Sequence, residues 1–303
     1  NMAMHDCDVM LCVGARFDDR ITGNLKYFSP NSKKIHIDID PSSINKNVKV
    51  DLAVIGDCYY ILNMLMKELK ASKSKIDKNS IDKWWKTIDK WKRKDCLSFI
   101  DSEKSIKPQR ALQELNKALK GQDAYITTEV GQHQMWAAQY LDFNKPNRWM
   151  TSGGLGTMGY GFPAAIGVQV AHPKKPVVCV AGEASFLMNI QELSSLKQLN
   201  IPVKVFILNN EYMGMVRQWQ EFFHGGRYSE SYSDSLPDFI ALANSFGIKG
   251  MRVTDPKDLK SSIAEMMNHD GPVIMDVCVD KMENVFPMIP AGAAHNDMKL
   301  NDH

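Results

Sequence analysis

Two oxygen-bearing side chains follow two successive strand-like runs, at a spacing that could bring them to one metal ion. Glu183 follows the apolar run Val177–Ala181, and Asn210 follows the run Val203–Leu208. Their separation of 27 residues fits one strand–helix–strand unit, which would place both at the carboxyl edge of a parallel sheet. A carboxylate and an amide oxygen suit a hard cation such as Mg²⁺, which usually shares its site with a phosphate. The competing interpretation is a pair of helix caps.

Small and polar residues beside these positions could hold the phosphate. Gly182, Ala184 and Ser185 would let backbone N–H groups approach a phosphate at a helix start. Gln132 and His133 follow the preceding predicted strand and would reach the same edge of the sheet as compact hydrogen-bond donors. A lone histidine is more often structural than functional, but its place at a strand end favours a role in the site.

A glycine-rich segment lies between these groups. Five glycines fall within Gly153–Gly161, and they permit backbone conformations and close approaches that other residues do not. The segment lacks the lysine of a Walker loop and the Gly-x-Gly-x-x-Gly order of a dinucleotide-binding turn. Met158 is a bulky apolar residue among the glycines. The sequence leaves open whether it packs the loop or lies under a cofactor.

A second candidate site follows the apolar run Val9–Val13, where the sequence continues as Gly14–Arg20. Arg16 could bind a phosphate through two hydrogen bonds. A carboxylate such as Asp38, at the end of the next predicted strand, commonly holds a ribose hydroxyl. These residues predict a nucleotide-binding half-site, and a surface cluster of ion pairs explains them equally well.

Alternating strands and helices must position these groups. Such alternation predicts an α/β fold with doubly wound parallel sheets that carry helices on both faces. The predicted strands span residues 9–13, 34–39, 124–128, 177–181, 203–208 and 273–279. The predicted helices span residues 57–70, 108–119, 163–167, 189–199, 213–223, 237–246 and 256–267.

The composition is that of an ordinary globular protein. The 303 residues are 44% hydrophobic and 24% charged, which excludes a disordered, collagen-like or disulfide-stapled chain. No apolar run reaches the roughly 18 residues of a transmembrane helix, and the opening residues lack the pattern of a signal peptide. A net charge of +2 does not indicate a polyanionic partner. Six cysteines without a Cys-x-x-Cys pair predict reduced thiols in a cytoplasmic compartment of the bacterial type.

The lysine-rich stretch Lys67–Lys94 contains apolar residues at helical spacing: Ile81, Trp84, Trp85, Ile88 and Trp91. One interpretation is a basic and aromatic surface for nucleic acid. We favour the other interpretation, an amphipathic linker helix that packs its aromatic face on a domain, because such stripes usually face a core.

Several longer strings resemble one enzyme family. Gly182-Glu183-Ala184 with Asn209-Asn210 resembles the thiamine diphosphate motif, which normally runs from Gly-Asp-Gly to Asn-Asn. Four strings resemble the catalytic large subunit of acetohydroxyacid synthase (acetolactate synthase): Val130–Gln139, Ser152–Gly161, Asn189–Leu193 and Gly214–Trp219. Two further strings resemble the FAD-binding middle domain of the same family: Gly14–Gly23 and His36–Asn47.

The resemblance implies a domain order and an activity. Residues 1–70 would be part of a Rossmann-like, FAD-associated middle domain, 71–105 a linker, and 106–303 the thiamine diphosphate-binding domain. The family decarboxylates pyruvate and condenses the two-carbon unit with a second 2-ketoacid, pyruvate or 2-ketobutyrate, in branched-chain amino-acid biosynthesis. Its cofactors are thiamine diphosphate, Mg²⁺ and FAD. It forms homodimers or homotetramers, often with a regulatory small subunit, and neither nucleic acid nor a membrane is an expected partner.

The resemblance also implies which residues form each site. The thiamine diphosphate positions are Val130, Gly131, Gln132, His133, Gly156, Met158, Gly182, Ala184, Ser185, Asn210 and Met215. The metal positions are Glu183, Asn210 and the backbone carbonyl of Tyr212. The substrate positions are Met215, Val216 and Trp219, of which Trp219 shapes the preference for the larger acceptor ketoacid. The FAD positions are Gly14, Arg16, Asp18, Asp38 and Asp57.

The chain departs from the family pattern in two ways. Glu183 stands where the family has aspartate. Glutamate keeps the carboxylate on a side chain that is one methylene longer, so the metal site is expected to form with a changed ligand position. The glutamate that activates the cofactor belongs to the family's N-terminal domain, so no catalytic residue is expected in this chain, which should be inactive alone. Two alternatives stay open: another thiamine diphosphate-dependent carboligase or decarboxylase, and a non-catalytic cofactor-binding fragment.

Overall fold

The computed structural model describes residues 1–72 and 76–301, which form two compact units. Unit 1 comprises Asn1–Ser98 and Phe286–His303, and unit 2 comprises Phe99–Val285. The domain bounds that the sequence predicts, at residues 70 and 105, stay a prediction. Residues 73–75 of the predicted linker and residues 302–303 lie outside the described residues.

Unit 1 is built on a three-stranded parallel sheet with the order β1-β2-β3. The strands are β1 (Val9–Val13), β2 (Lys33–Asp38) and β3 (Leu52–Ile55). The α-helices are α1 (Met2–Asp6), α2 (Asp19–Thr22), α3 (Cys58–Ala71) and α4 (Lys78–Lys92). The buried cluster of this unit consists of Met10, Phe17, Phe28 and Val48.

One face of the unit 1 sheet carries exposed apolar side chains. Along β1, Met10 is buried, whereas Val9, Leu11 and Val13 are 53%, 48% and 41% exposed. Strand β3 contains no buried residue. Parallel sheets normally have both faces covered. The clustered core of unit 1 therefore lies on the face of Met10, and the opposite face is covered only in part, since Ile37, which pairs with Val13, is buried.

Unit 2 is built on a six-stranded parallel sheet with the order β5-β4-β6-β7-β9-β8. The strands are β4 (Tyr125–Thr128), β5 (Trp149–Thr151), β6 (Val177–Ala181), β7 (Lys204–Asn209), β8 (Lys249–Val253) and β9 (Val273–Cys278). The α-helices are α5 (Pro108–Leu119), α6 (Gln132–Tyr140), α7 (Gly161–Ala171), α8 (Glu183–Leu187), α9 (Glu192–Gln198), α10 (Gly214–Phe223), α11 (Phe239–Ser245) and α12 (Leu259–Asn268).

Strands β6 and β7 lie in the middle of the sheet, and every residue of both strands is buried. Val180 and Phe206 pack in one cluster with residues of α5, α6 and α12. Cys179 and Ile207 pack in a second cluster with residues of α7, α9 and α11. Helices therefore cover both faces, and the predicted doubly wound α/β fold is confirmed.

The strand order of unit 2 creates a crevice at one edge of the sheet. The chain leaves β4 towards β5, but it leaves β6 towards β7, on the opposite side. Ligands of such sheets bind where the direction of the connections reverses, beyond the carboxyl ends of the strands. The ends of β4, β6 and β7 therefore define the place for a site.

Most predicted elements are confirmed. The six predicted strands agree with β1, β2, β4, β6, β7 and β9 to within one residue at each end. The short edge strands β3, β5 and β8 were not predicted, and neither was the place of Gln132 and His133 in the first turn of helix α6.

Helix α4 confirms the predicted helix in the lysine-rich stretch, but its aromatic face is not buried. Ile81 and Trp85 are exposed, and Trp84 packs edge-on against Trp91 with ring centroids 5.7 Å apart. The predicted packing of this face on a domain is therefore not observed within the described residues.

Among those residues, no helix has both the length and the apolar character that crossing a bilayer requires.

Candidate functional site

A cleft of about 470 Å³ lies at the carboxyl ends of β4, β6 and β7. This volume includes space that is open to solvent, so the feature is an open cleft and not a closed cavity. The cleft is lined by Val130, Gly131, Gln132, His133, Trp136, Met158, Gly182, Glu183, Ala184, Ser185, Leu208, Asn210, Tyr212, Met213, Gly214, Met215 and Val216.

Glu183 is a buried carboxyl group with an unsatisfied oxygen. It is the first residue of α8 and is 1% exposed. Burial raises the pKa of Glu183 to about 8, although the backbone N–H of Asn210 donates to its carboxylate. Its Oε1 has no hydrogen-bond partner among the described residues. A buried carboxylate is costly unless it is paired, so this oxygen is suited to a cation.

The two adjacent asparagines at the end of β7 have different roles. Asn209 Nδ2 donates to Asp276 Oδ1 at 2.9 Å, inside the sheet. Asn210 faces the cleft instead: its Nδ2 donates to Gln132 Oε1 at 3.2 Å, and its Oδ1 accepts the N–H of Tyr212 at 3.2 Å. The second asparagine therefore offers an amide oxygen at the tip of the strand next to that of Glu183.

His133 is a buried neutral ring that two glycines accommodate. Burial lowers the pKa of His133 to about 3, although its ring hydrogen-bonds the backbone of Glu129. Its Nε2 has no partner among the described residues. A Cβ at Gly131 or Gly182 would lie 2.7 Å from the ring. Both positions therefore require glycine for His133 to lie at the cleft.

Glu129 is a buried carboxylate that the sequence analysis missed. It follows β4 and accepts the N–H groups of Gly159 at 2.6 Å and Phe162 at 2.9 Å. Burial raises the pKa of Glu129, and these backbone N–H groups partly offset that effect. Its carboxylate therefore fixes the start of α7 and the glycine-rich loop whose Met158 lines the cleft. The signal in the sequence was a carboxylate directly after a strand, as at Glu183.

Two family models match the chain. The model described as thiamine pyrophosphate enzyme, C-terminal TPP binding domain, matches residues 129–277. The model described as thiamine pyrophosphate enzyme, central domain, matches residues 1–65. Together they cover more than half of the chain, and the first spans every residue that lines the cleft. The chain belongs to the thiamine pyrophosphate enzymes.

Curated members of this thiamine pyrophosphate enzyme family are similar along almost the whole chain. The acetolactate synthase isozyme 3 large subunit of Escherichia coli (strain K12) is 45% identical over 99% of this chain and 53% of its own length. The acetolactate synthase large subunit of Haemophilus influenzae is 46% identical over 99% of this chain and 52% of its own length. That of Cyanidium caldarium is 45% identical over 98% and 51%. The chain thus spans about half the length of the curated relatives it matches.

The residues of the cleft fit the groups that a thiamine pyrophosphate enzyme holds. The unpartnered Oε1 of Glu183 and the amide oxygen of Asn210 are hard oxygen ligands suited to Mg²⁺. The unpartnered Nε2 of His133 lies in the same cleft, where it could meet a diphosphate. The buried polar atoms that lack partners thus match the metal end of the cofactor.

Two predicted site residues of this thiamine pyrophosphate enzyme lie outside the cleft. Gly156 is a left-handed residue with φ of 65° beside Val130, but it does not line the cleft. Trp219 lines an adjoining open groove, and Met215 and Val216 line both the groove and the cleft. The other predicted thiamine diphosphate, metal and substrate residues all line the cleft.

The residues that the resemblance assigns to FAD lie together at one edge of the unit 1 sheet. Gly14 follows β1, Asp38 ends β2, and Asp57 lies two residues after β3. Arg16 pairs with Asp18 at 2.7 Å, which is the ion pair of the competing interpretation. Asp57 caps α3 by accepting the N–H groups of Tyr59 and Tyr60 at 2.9 and 3.4 Å. Their assignment to FAD stays a prediction.

Proposed function

We propose that this chain is the cofactor-anchoring part of an acetolactate synthase large subunit, a transferase. That enzyme decarboxylates pyruvate and joins the two-carbon unit to pyruvate or 2-ketobutyrate, in branched-chain amino-acid biosynthesis. The observation that carries the proposal is the cleft with Glu183 and Asn210 at neighbouring strand ends, in a chain about 45% identical to such subunits.

The proposal gives each part of the cleft a role. Glu183, Asn210 and the backbone carbonyl of Tyr212 hold Mg²⁺. Gln132, His133, Ala184 and Ser185 hold the diphosphate. Met158 would lie under the cofactor, and the remaining assigned positions, Val130, Gly131, Gly156, Gly182 and Met215, would surround it. The chemistry that thiamine diphosphate supplies when bound is that of an electron sink for the decarboxylated ketoacid.

Apolar residues of α10 give the proposed substrate pocket its character. Met215 and Val216 line both the cleft and the adjoining groove, so they can exclude water where the two meet. Trp219 lines the groove and forms one wall for the side chain of the acceptor ketoacid. We assign to Trp219 the preference between pyruvate and 2-ketobutyrate.

Further parts of the proposal concern the rest of the enzyme. FAD belongs to Gly14, Arg16, Asp18, Asp38 and Asp57, and the activating glutamate is assigned to no residue of this chain. Catalytic subunits assemble as homodimers or homotetramers, with a regulatory small subunit. The free thiols among the described residues support a reducing, cytoplasmic compartment.

A chimaera tests the proposal. The 303 residues are joined to the portion of the E. coli relative that precedes its aligned region, and 2-acetolactate is measured from pyruvate with thiamine diphosphate, Mg²⁺ and FAD. We expect acetolactate from the chimaera and none from its Glu183→Ala variant. A chimaera that binds thiamine diphosphate but releases only acetaldehyde or another product would assign the chain to a different branch of the family.

A further inference from the structure

Gln218 is a fully buried amide of α10 whose orientation is fixed by backbone atoms. It is 0% exposed and does not line the cleft. The N–H of Val285 donates to its Oε1 at 2.9 Å, and its Nε2 donates to the carbonyl of Val285 at 3.1 Å. A backbone N–H can only donate and a carbonyl can only accept. The two ends of the Gln218 amide therefore cannot be exchanged without losing both bonds.

Gln218 in turn orients Gln132. Gln132 Nε2 donates to Gln218 Oε1 at 2.8 Å and to the carbonyl of Glu283 at 3.0 Å. Both acceptors require the NH₂ end of the Gln132 amide, so its Oε1 must point the other way. Gln132 is 3% exposed, which leaves little room for water to replace either bond.

Gln132 then orients Asn210. The Oε1 of Gln132 accepts from Asn210 Nδ2 at 3.2 Å, and the N–H of Tyr212 donates to Asn210 Oδ1 at 3.2 Å. The two contacts specify the same orientation of the Asn210 amide. The oxygen, which is the end that can bind a hard cation, is thereby held away from Gln132 and keeps a second lone pair for a ligand.

We propose that Gln218 is a positioning residue that acts through Gln132 to keep the amide oxygen of Asn210 turned to the metal. The proposal rests on the proposed function, because it takes Asn210 as a ligand of Mg²⁺. Partners that orient a metal ligand from behind typically change metal affinity by about 10–100-fold when they are removed. Gln218 lies 86 residues from Gln132 in sequence, so the role depends on how α10 packs against α6.

The test compares two buried glutamines in the full 303-residue chain. Gln169 of α7 is also 0% exposed, and its Nε2 donates to the carbonyls of His172 and Lys175 at 3.1 and 3.0 Å, but it does not line the cleft. Mn²⁺ is titrated at saturating thiamine diphosphate, and free Mn²⁺ is measured by electron paramagnetic resonance. We expect Gln218→Met to weaken Mn²⁺ binding about 10–100-fold, and Gln169→Met to change it less than about twofold.

A second variant separates orientation from loss of packing. In an Asn210→Asp background both terminal atoms of residue 210 are oxygens, so either orientation presents an oxygen to the metal. Gln218→Met should then cost less than about twofold in Mn²⁺ affinity, compared with about 10–100-fold in the presence of Asn210. An equal loss in both backgrounds would mean that Gln218 acts through the fold and would overturn the proposal.

The outcomes keep the two proposals apart. If the unsubstituted chain does not bind Mn²⁺ and thiamine diphosphate together, the proposed role of the cleft as the cofactor anchor fails. If it binds them and Gln218→Met behaves like Gln169→Met, the proposed function stands and the positioning role of Gln218 is wrong. Melting temperatures of the two variants are compared without metal, so that a general loss of folding is recognised.

Discussion

The two sheets of this protein bury their apolar residues to very different extents. In unit 2 every residue of β6 and β7 is buried, and helices pack on both faces. In unit 1 the residues Val9, Leu11 and Val13 of β1 are exposed, and β3 has no buried residue. The described part of unit 1 thus has a buried cluster on one face of its sheet and partial cover at Ile37 on the other, whereas unit 2 has a core on each face.

This difference extends to the polar residues at the strand ends. In unit 2 the carboxylates Glu129 and Glu183 are almost fully buried, and backbone N–H groups or adjoining amides fix the polar atoms around them. In unit 1 Arg16 and Asp57 are exposed, and they form hydrogen bonds with nearby residues of the same loop or helix. A site whose polar atoms are rigid before the ligand arrives needs a covered sheet beneath it.

The largest effect is expected when the buried carboxyl group of Glu183 is removed from the cleft of unit 2. Glu183→Ala should abolish metal-dependent binding of thiamine diphosphate, measured by isothermal titration calorimetry with Mg²⁺. Because the carboxyl group is buried with one unpartnered oxygen, its removal should not lower the melting temperature of the metal-free chain. Glu68→Ala, on helix α3 of unit 1, is the control and should bind the cofactor normally. Unchanged binding in Glu183→Ala would remove this residue from the metal site.

A matched pair of isoleucines tests the difference in burial itself. Ile207 of β7 is 0% exposed, and Ile55 of β3 is 58% exposed. Ile207→Ala should lower the free energy of unfolding by about 2–5 kcal/mol, whereas Ile55→Ala should change it by about 0.5 kcal/mol or less. Urea titration measures both. Equal losses would show that β3 is covered in solution.

The glycine-rich loop of unit 2 gives the next effect. Glu129→Gln leaves an NH₂ group facing backbone N–H groups of the loop, so about 1–3 kcal/mol of unfolding free energy should be lost. Cofactor affinity should fall too, because Met158 is carried by the same loop. Asp57→Asn of unit 1 is the counterpart: asparagine caps a helix as well as aspartate does, so stability should not change. If Glu129→Gln changed neither the free energy of unfolding nor the cofactor affinity, the role of this carboxylate would be contradicted.

The smallest expected effect depends on pH. Hydrogen bonds from Arg148 and Lys175, with a further one from Lys145, hold the pKa of Asp123 well below its usual range. A lowered folded-state pKa means that the unfolded chain binds the proton first as pH falls, so this contribution is present above about pH 4 and is lost below it. Asp123→Asn should therefore lower the melting temperature at pH 7.

The comparison with unit 1 gives the control for that pH profile. Asp51 accepts the backbone N–H of Lys34 at 2.8 Å, a bond that asparagine can also make, and its only ion pair among the described residues is with Lys33 at 3.2 Å, where both side chains are exposed. Asp51→Asn should therefore shift the melting temperature less than Asp123→Asn at pH 7. The difference between the Asp123→Asn variant and the unsubstituted chain should narrow between about pH 4 and the acid limit of folding. A difference that is constant with pH would show that charge is not its cause.

Much of the fold and the cleft could be predicted from the sequence, for a physical reason. The central strands β6 and β7 are continuous apolar runs because both of their faces are buried, and the residues that follow them must lie at one edge. This argument does not apply to the edge strands. Strand β8 contains Lys249, Gly250 and Arg252, and its pattern gives no apolar run to recognise.

The residues that support the cleft from behind could not be predicted in the same way. Gln218 meets Gln132 across 86 residues, and its function follows from which backbone atoms of Val285 it contacts. Local spacing carries no information on such a contact. The position of Glu129 directly after a strand could have marked it as a candidate, but its hydrogen-bond donors are N–H groups of the glycine-rich loop and of the first turn of α7, 30 and 33 residues further on.

Gly214 sets a limit on how this site can vary. A Cβ at this position would overlap Gln132 Oε1 and would lie 2.8 Å from Asn210 Nδ2. Even alanine would therefore separate the two amides that face the cleft. In a saturation library selected for cofactor binding, codon 214 should retain glycine alone, and recombination with a relative should preserve function only where that glycine is kept.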